Sequence, residues 1–539
     1  MKIEESEQET RRPASQAFRI GNKPIGFKVA RGVVSSVLRK IIVAPISLFL
    51  VPFTLWKLGV VGFGIYTILA TIINLAWLMD PGLGATVTKY VAESSATNDI
   101  AGIRRLLNAS CAICLAMAVV ASCLMWAFPH AIIKELFRGP SAPPAVQILS
   151  LWPLVTVCIV AFLMTMPFLA FIDGRQRMDL TNVLIVSAEL LSSAMTVVLL
   201  LAGEAIRGLL IARLLGSLFI LVGGIVISRR LMPSFVPNPF RCEWREIRKI
   251  FAFSMPLYAG YVLGTLQGQL EGLYLARLVG VVPVGWYSVA SQGAAKVKRV
   301  PDMLLGPIVA GVSELDAAGE SRKLEELHFR ALKYIALVAT PLAVFAVVDA
   351  RMLIHLWVGN RLGVIALTFA ILVIGNFFPQ GAQPTYLTMV GRGILRPAVY
   401  ASIMVCVLNV ALSFFFIRRW GFAGAAYGTA IPVILGTVYY LAQCRRYFQR
   451  SLYRTLLRAY LKPLLCSTTA ACCVLAIALL KLRLWEELAI EVVVFGIVYM
   501  GGLVLTRSID AFDLATAMAH VPFFSRFGAA LESLDTTGH

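Results

Sequence analysis

Apolar runs long enough to cross a membrane recur along almost the whole of this 539-residue chain, and they restrict its fold more than any other feature. About 20 such residues in a helix traverse a hydrocarbon core of about 30 Å. Backbone inside hydrocarbon must satisfy its own hydrogen bonds, so a succession of these runs specifies a bundle of helices. Charged residues make up 14% of the chain and hydrophobic ones 59%, whereas soluble domains carry about 25% charged residues. The expected fold class is therefore an all-α integral membrane protein.

Hydropathy predicts about fourteen transmembrane helices. The first six lie near 33–56, 62–93, 104–128, 146–172, 180–202 and 206–228. Six more lie near 251–276, 283–313, 328–349, 363–390, 396–417 and 422–444, and a last pair near 456–480 and 487–506. The domain expectation is a cytoplasmic tail (1–32), a six-helix lobe (33–229), a cytoplasmic linker (230–250), a second six-helix lobe (251–444), a C-terminal helix pair (445–506) and a cytoplasmic tail (507–539). Residues 1–30 are polar and lack an apolar core, which reads as a tail rather than a signal peptide.

An internal echo supports two equivalent lobes. Lys57-Leu58-Gly59-Val60-Val61-Gly62-Phe63-Gly64-Ile65-Tyr66 returns as Arg277-Leu278-Val279-Gly280-Val281-Val282-Pro283-Val284-Gly285-Trp286-Tyr287, with one extra residue before the first glycine. Both copies join one apolar run to the next. A second, weaker echo pairs Gly203-x4-Gly208 with Gly421-x2-Gly424, where glycine allows a tight turn and close helix approach. Duplication of this kind is characteristic of secondary transporters, whose substrate site lies between the repeats.

The net charge of +20 invites a nucleic-acid reading, but its distribution argues for topology. With the N-terminus in the cytoplasm, roughly 30 of the 49 Lys and Arg fall in inner loops and about 11 in outer ones. Arg229, Arg230, Arg241, Arg245, Arg248 and Lys249 form one inner cluster, and Arg445, Arg446, Arg450, Arg454 and Arg458 another. These clusters suit anionic lipid headgroups, and no nucleic-acid partner is expected. Cys111-x-x-Cys114 lies inside an apolar run without a second pair or a His at metal spacing, so it reads as helix packing, and no metal or cofactor is expected. No nucleotide-binding G-x4-G-K-[ST] motif occurs.

Charges inside apolar helices carry the functional signal, because one near the bilayer centre costs at least about 2.5–3.5 kcal/mol. Arg39 and Lys40 lie in the first span, Lys89 in the second, and Lys296, Lys298 and Arg299 in the eighth. They are candidates for a cationic substrate-binding cavity. The plainer reading is that Arg39, Lys40 and Lys89 snorkel to an interface, while the other three form ion pairs that fix packing; Asp302 is placed to partner Lys298 or Arg299. Acidic residues are fewer. Asp80 precedes Pro81, which should kink the second span so that the freed carbonyl and the carboxylate line a polar interior. Glu189 and Glu271 are candidates for coupling transport to H+ or Na+, or equally structural partners of a nearby Arg. Gln267, Gln269, Gln292, Asn376, Gln380 and Gln383 could hydrogen-bond sugar hydroxyls or join helices to one another. Embedded cations outnumber embedded anions, which favours an anionic, hydroxyl-rich substrate.

The run Leu58-Gly59-x4-Gly64-Ile65-Tyr66, with Asp80-Pro81-Gly82-Leu83-Gly84-Ala85-x3-Lys89-Tyr90-Val91-Ala92-Glu93, resembles the polysaccharide-transport branch of the multidrug/oligosaccharidyl-lipid/polysaccharide exporter superfamily. The resemblance covers residues of about 30 to 506, with Pro81 in place of the usual leucine. It implies two six-helix lobes around a central cationic cavity, two extra C-terminal helices, and basic residues of the first, second and eighth helices as binding groups. It also implies a flippase, not an enzyme, for polyprenyl-diphosphate-linked oligosaccharide in the bacterial inner membrane, serving lipopolysaccharide O-antigen, capsule or exopolysaccharide synthesis alongside polysaccharide polymerase or chain-length proteins. Two alternatives stand beside it. A drug or cation exporter of the same superfamily would use an acidic site, and a membrane polymerase or ligase would need a sizeable outer loop, which this chain lacks.

Overall fold

A computed structural model describes residues 25–80, 82–137, 143–233, 238–305, 308–359, 363, 365–449, 451–477 and 483–508. Most of both predicted tails, and Pro81 with its expected kink, lie outside these residues. Among the described residues the chain is helical, with no strand. The helices are α1 (Ile25–Leu75), α2 (Leu83–Ala96), α3 (Ile100–Ala127), α4 (Pro129–Leu136), α5 (Ala145–Gly174), α6 (Met178–Leu201), α7 (Ala205–Leu231) and α8 (Trp244–Leu278). They continue as α9 (Val281–Asp302), α10 (Ile308–Ala317), α11 (Ser321–Val348), α12 (Ala350–Val358), α13 (Ile365–Gly391), α14 (Arg396–Cys444), α15 (Leu452–Ile477) and α16 (Leu484–Leu505).

Ten helices among the described residues are long and apolar enough to cross a membrane. Two of them exceed one crossing. At 51 residues, α1 would be about 76 Å long if straight, over twice the hydrocarbon core. It turns at Gly59, whose φ of 68° and ψ of 177° are not helical. The 49-residue α14 turns likewise at Gly421, with φ 56° and ψ −127°. Both positive φ values favour glycine, which has no Cβ to clash. Long α8 and α9 are absent from the ten because amide and charged side chains interrupt their apolar runs. These two helices carry several of the candidate residues.

Contacts divide the chain into two compact units, Met1–Val289 with Cys406–Gly428, and Ala290–Val405 with Thr429–His539. In the first unit α5 is central, packed by α2, α3 and α7, while α6 joins α7 to α1 and α8 lies against α1, α2 and α3. Trp152 and Phe171 of α5 are fully buried there, and the Trp152 indole donates to the Met125 carbonyl at 2.9 Å. Cys111 and Cys114 are buried in the same core. In the second unit α11 is central, packed by α13 and α15, with α16 against α15.

The two echoed corners meet within the first unit, and they do so reciprocally. A Cβ on Gly64 would overlap the carbonyl of Val281, and one on Gly285 would lie 3.0 Å from the carbonyl oxygen of Val60. In the echo Val60 corresponds to Val281 and Gly64 to Gly285, so each copy presents its glycine to the other's valine. This is the isologous pattern of a two-fold axis, made here between two parts of one chain. The weaker echo also forms turns: Gly203 has φ +90° ahead of α7, and a Cβ on Gly424 would overlap the Phe416 carbonyl.

Beyond the end of α11, Asp349 is buried, and one of its carboxylate oxygens has no hydrogen-bond partner among the described residues. Burial, and secondarily the charge of Glu487, push its carboxyl up to about 6. A raised carboxyl pKa means that the folded state resists ionisation. Stability is then fully present below the ordinary value near 4 and is lost as pH rises through about 6. Asp349→Asn, which cannot ionise, is expected to be more stable than the parent by about 1–3 kcal/mol at pH near 8 and similar at pH near 4. Melting temperatures of the two proteins in detergent across that range check the sign.

Candidate functional site

Two polar clusters stand out in the first unit. In one, Glu271 of α8 is almost fully buried and accepts a hydrogen bond from the Asn409 side-chain amide of α14 at 2.5 Å. The same amide nitrogen donates to the Gly428 carbonyl at 3.2 Å, closing α8 against both arms of α14. Asn409 is wholly buried, and its side-chain oxygen has no partner among the described residues. A carboxylate and an unfilled carbonyl-type acceptor, side by side, suit a proton or a small cation chemically.

The second cluster is basic and aromatic. Lys89 of α2 stands 4.0 Å from the Phe253 ring centre and 5.1 Å from that of Tyr90. Lys249 lies 4.2 Å from the same Tyr90 ring, and the two rings meet edge-to-face at 5.8 Å. Ring faces hold cations by their quadrupole, at about 0.5–2 kcal/mol each. Glu93 pairs with Lys89 at 3.6 Å, but both side chains are well exposed, so this pair adds little. Two ammonium groups thereby share the Tyr90 ring at the α2–α8 contact.

Asp80 is buried where the second span is broken. A 3-10 turn over Ala76–Met79 ends there, Asp80 is extended, and Gly82 takes φ 82° before α2 resumes. The Asp80 carboxylate accepts from the Leu83 backbone N–H at 2.7 Å, satisfying a donor that a new helix start leaves free. Tyr258 of α8 donates its hydroxyl to the Leu78 carbonyl, so the break is tied to α8. Arg39 is half-buried, and its charge acts on Asp173 of α5. Lys40 and Glu189 are exposed on the helix surface. The Gln267 side chain lies outside the described residues.

In the second unit, Lys296 and Lys298 are half-buried on α9, and Arg299 is exposed one turn beyond Lys296. Lys296 and Arg299 are close enough to interact electrostatically. Buried Gln380 of α13 donates to the Lys298 carbonyl at 2.6 Å and to the Asp302 carboxylate at 3.4 Å. Gln380 thus acts as a clamp between α13 and the end of α9, which fixes the backbone carrying all three cations. Gln292 and Asn376 are half-buried.

Hydropathy reasoning passes over three polar contacts. Arg213, nine residues into α7, donates to the Asn74 side chain of α1 at 2.6 Å. Its charge within an apolar helix was detectable by the criterion applied to Arg39. Lys249 stands in a basic cluster that topology alone explains, so nothing marks it as a partner of Lys89. His328 of α11, buried, hydrogen-bonds Thr385 of α13 at 3.0 Å. Among the described residues no group of three or more His, Cys, Asp or Glu is placed to hold a metal ion.

A family model described as polysaccharide biosynthesis protein matches residues 29–313. A putative O-antigen transporter of Shigella flexneri is 19% identical over 390 residues, spanning 70% of this chain and 88% of that relative. Among solved structures, the lipid II flippase MurJ in an inward closed conformation superposes with a TM-score of 0.66 at 11% identity, over 89% of this chain and 98% of that one. An inward-facing multidrug resistance MATE transporter of the MOP superfamily gives 0.58 at 16% identity, over 79% and 98%. At these identities the likeness establishes the fold, an all-α multi-pass membrane architecture shared with transporters.

Proposed function

This chain belongs to the polysaccharide biosynthesis protein family, and from that membership we propose that it is a flippase for polyprenyl-diphosphate-linked oligosaccharide. It carries repeat units from the cytoplasmic to the outer leaflet of a bacterial inner membrane for surface polysaccharide assembly, and the product passes to polymerase and chain-length proteins. The O-antigen transporter relative and the lipid II flippase likeness support this reading. The observation that carries it is the set of helix-borne cations: Arg39, half-buried on apolar α1, Lys89, held over rings on α2, and Lys296 and Lys298, half-buried on α9. A diphosphate requires cations at membrane depth, whereas a cation substrate would be repelled by them.

In this reading fourteen spans form two six-helix lobes and a C-terminal pair, with both termini cytoplasmic. The ten apolar helices, the extra limbs of α1 and α14, and α8 with α9 support that count. Transport proceeds by alternating access, and the reciprocal glycine corner closes the outer side. Movement of each negative charge outward gains about 2.3 kcal/mol per 100 mV of inside-negative potential. Glu271 with Asn409 is the coupling site for H+ or Na+. That same buried carboxylate, with the multidrug transporter likeness, favours a drug or cation exporter as the second reading.

The test is deletion of the gene, followed by sidedness labelling of the lipid-linked oligosaccharide and a surface-polymer assay. Repeat units trapped on the cytoplasmic leaflet, with surface polymer lost, are expected. Unpolymerised units on the outer leaflet would instead indicate a polymerase or ligase. Unchanged labelling and polymer would move the exporter reading to first place.

A further inference from the structure

In the second unit, α11, α15 and the end of α16 enclose a crevice of about 330 Å³. Its lining holds four basic side chains, Lys333 of α11, Arg458 and Lys462 of α15, and Arg507 just after α16, and no acidic one. Leu337 and Leu461 form its apolar wall. Arg458 and Arg507 have no carboxylate within salt-bridge distance among the described residues. Lys462 donates to the Thr506 carbonyl at 2.7 Å, which uses one of its three donors.

Arg507 is held in an unusual conformation. The Arg507 N–H donates to the Val504 carbonyl and the Ser508 N–H to the Leu503 carbonyl, the paired bonds of a Schellman helix end. That motif places its C′ residue in the left-handed region, where glycine is favoured, and Arg507 occupies it with φ 47°. A non-glycine residue there is strained, and such strain points to a task for the side chain. Here the strained residue delivers a guanidinium into a crevice that is already basic.

We propose that this crevice binds the phosphate of an anionic glycerophospholipid headgroup. Two observations select a membrane lipid. The crevice sits at the end of the unit where α11 and α15 begin and α16 ends, the face that the Lys and Arg bias assigns to the cytoplasm. The neighbouring α15 side chains Leu457, Leu461 and Leu465 are 45%, 44% and 55% exposed, giving an acyl chain an apolar path from the same opening. Guanidinium groups bind phosphate through charge-assisted, often bidentate hydrogen bonds. The proposal rests on the membrane reading of the fold and stands whether or not the protein is a flippase.

The test is a titration of the purified full-length protein in neutral detergent with phosphatidylglycerol, with melting temperature as the readout. Phosphatidylcholine and inorganic phosphate serve as comparison ligands. Stabilisation by phosphatidylglycerol alone is expected. Its midpoint should shift about tenfold to weaker binding for Arg458→Gln, and again for Arg507→Gly, as each removes a charge-assisted contact. Arg507→Gly also relieves the backbone strain, so without lipid it should melt no lower than the parent, which separates a binding role from a capping one. The proposal is overturned if both variants keep the parent midpoint, if inorganic phosphate stabilises as well as the lipid, or if Arg507→Gly melts lower without lipid.

Discussion

Alanine in place of Lys296, Lys298 and Arg299 together is expected to abolish translocation while leaving the protein inserted in the membrane. Each charge-assisted hydrogen bond to a phosphate contributes about 1.5–3 kcal/mol, so loss of two such contacts weakens binding at least about 100-fold. The α9 backbone should survive, because Gln380 clamps it through the Lys298 carbonyl and the Asp302 carboxylate, neither of which the substitutions remove. Gln380→Leu provides the converse: it leaves every cation in place but frees the end of α9, and it should lower melting temperature as well as transport. Sidedness labelling of the lipid-linked oligosaccharide in cells carrying each variant, with membrane protein quantified, separates the two effects. Parental translocation by the stable triple variant would remove α9 from the substrate path and leave Lys89 and Lys249 as the basic site.

What was legible in the sequence is governed by the range of the physics that encodes it. Helix class and the membrane setting are local, written in the length of each apolar run. The turns at Gly59 and Gly421 were legible too, because glycine punctuates two runs that no single crossing can hold. Asp80 shows the limit of local reasoning. Its neighbours predict a break in the second span, and the break is present, but nothing local foretells that the carboxylate caps the following helix. Glu271 shows another limit, since its partner Asn409 is 138 positions away and has no local mark. Lys249 was hidden for a different reason: a basic residue at a membrane boundary already has a sufficient explanation in topology, and its ring contact with Tyr90 depends on how α2 meets α8. Charge and hydropathy identify which helices carry polar groups; they do not pair those side chains.

Valine in place of Gly64 is expected to stop transport by a different route, forcing open the contact between the echoed corners. Its side chain would meet the Val281 carbonyl, a backbone atom that no rotamer change can move aside. Overpacking of this kind costs about 1–3 kcal/mol. A closed state that loses 3 kcal/mol against its open alternative falls about 150-fold in relative population. Gly285→Val should act alike, because the contact is reciprocal and its Cβ would press on the Val60 carbonyl. Gly84→Ala is the matched control: nothing lies within 4 Å of a Cβ there, and removing a helical glycine should be neutral or slightly stabilising. The position of the contact can be read directly by a cysteine at Val281, which is 2% exposed in the parent. With the other exposed cysteines replaced, a membrane-impermeant maleimide should leave it unlabelled in the parent and label it in Gly64→Val cells. Labelling without loss of transport would make the corner a seal that the cycle does not need. Loss of inserted protein, with Val281→Cys still shielded, would make it static packing. Only labelling and transport loss together, from either glycine, fit a closure that the protein must form and release in each cycle.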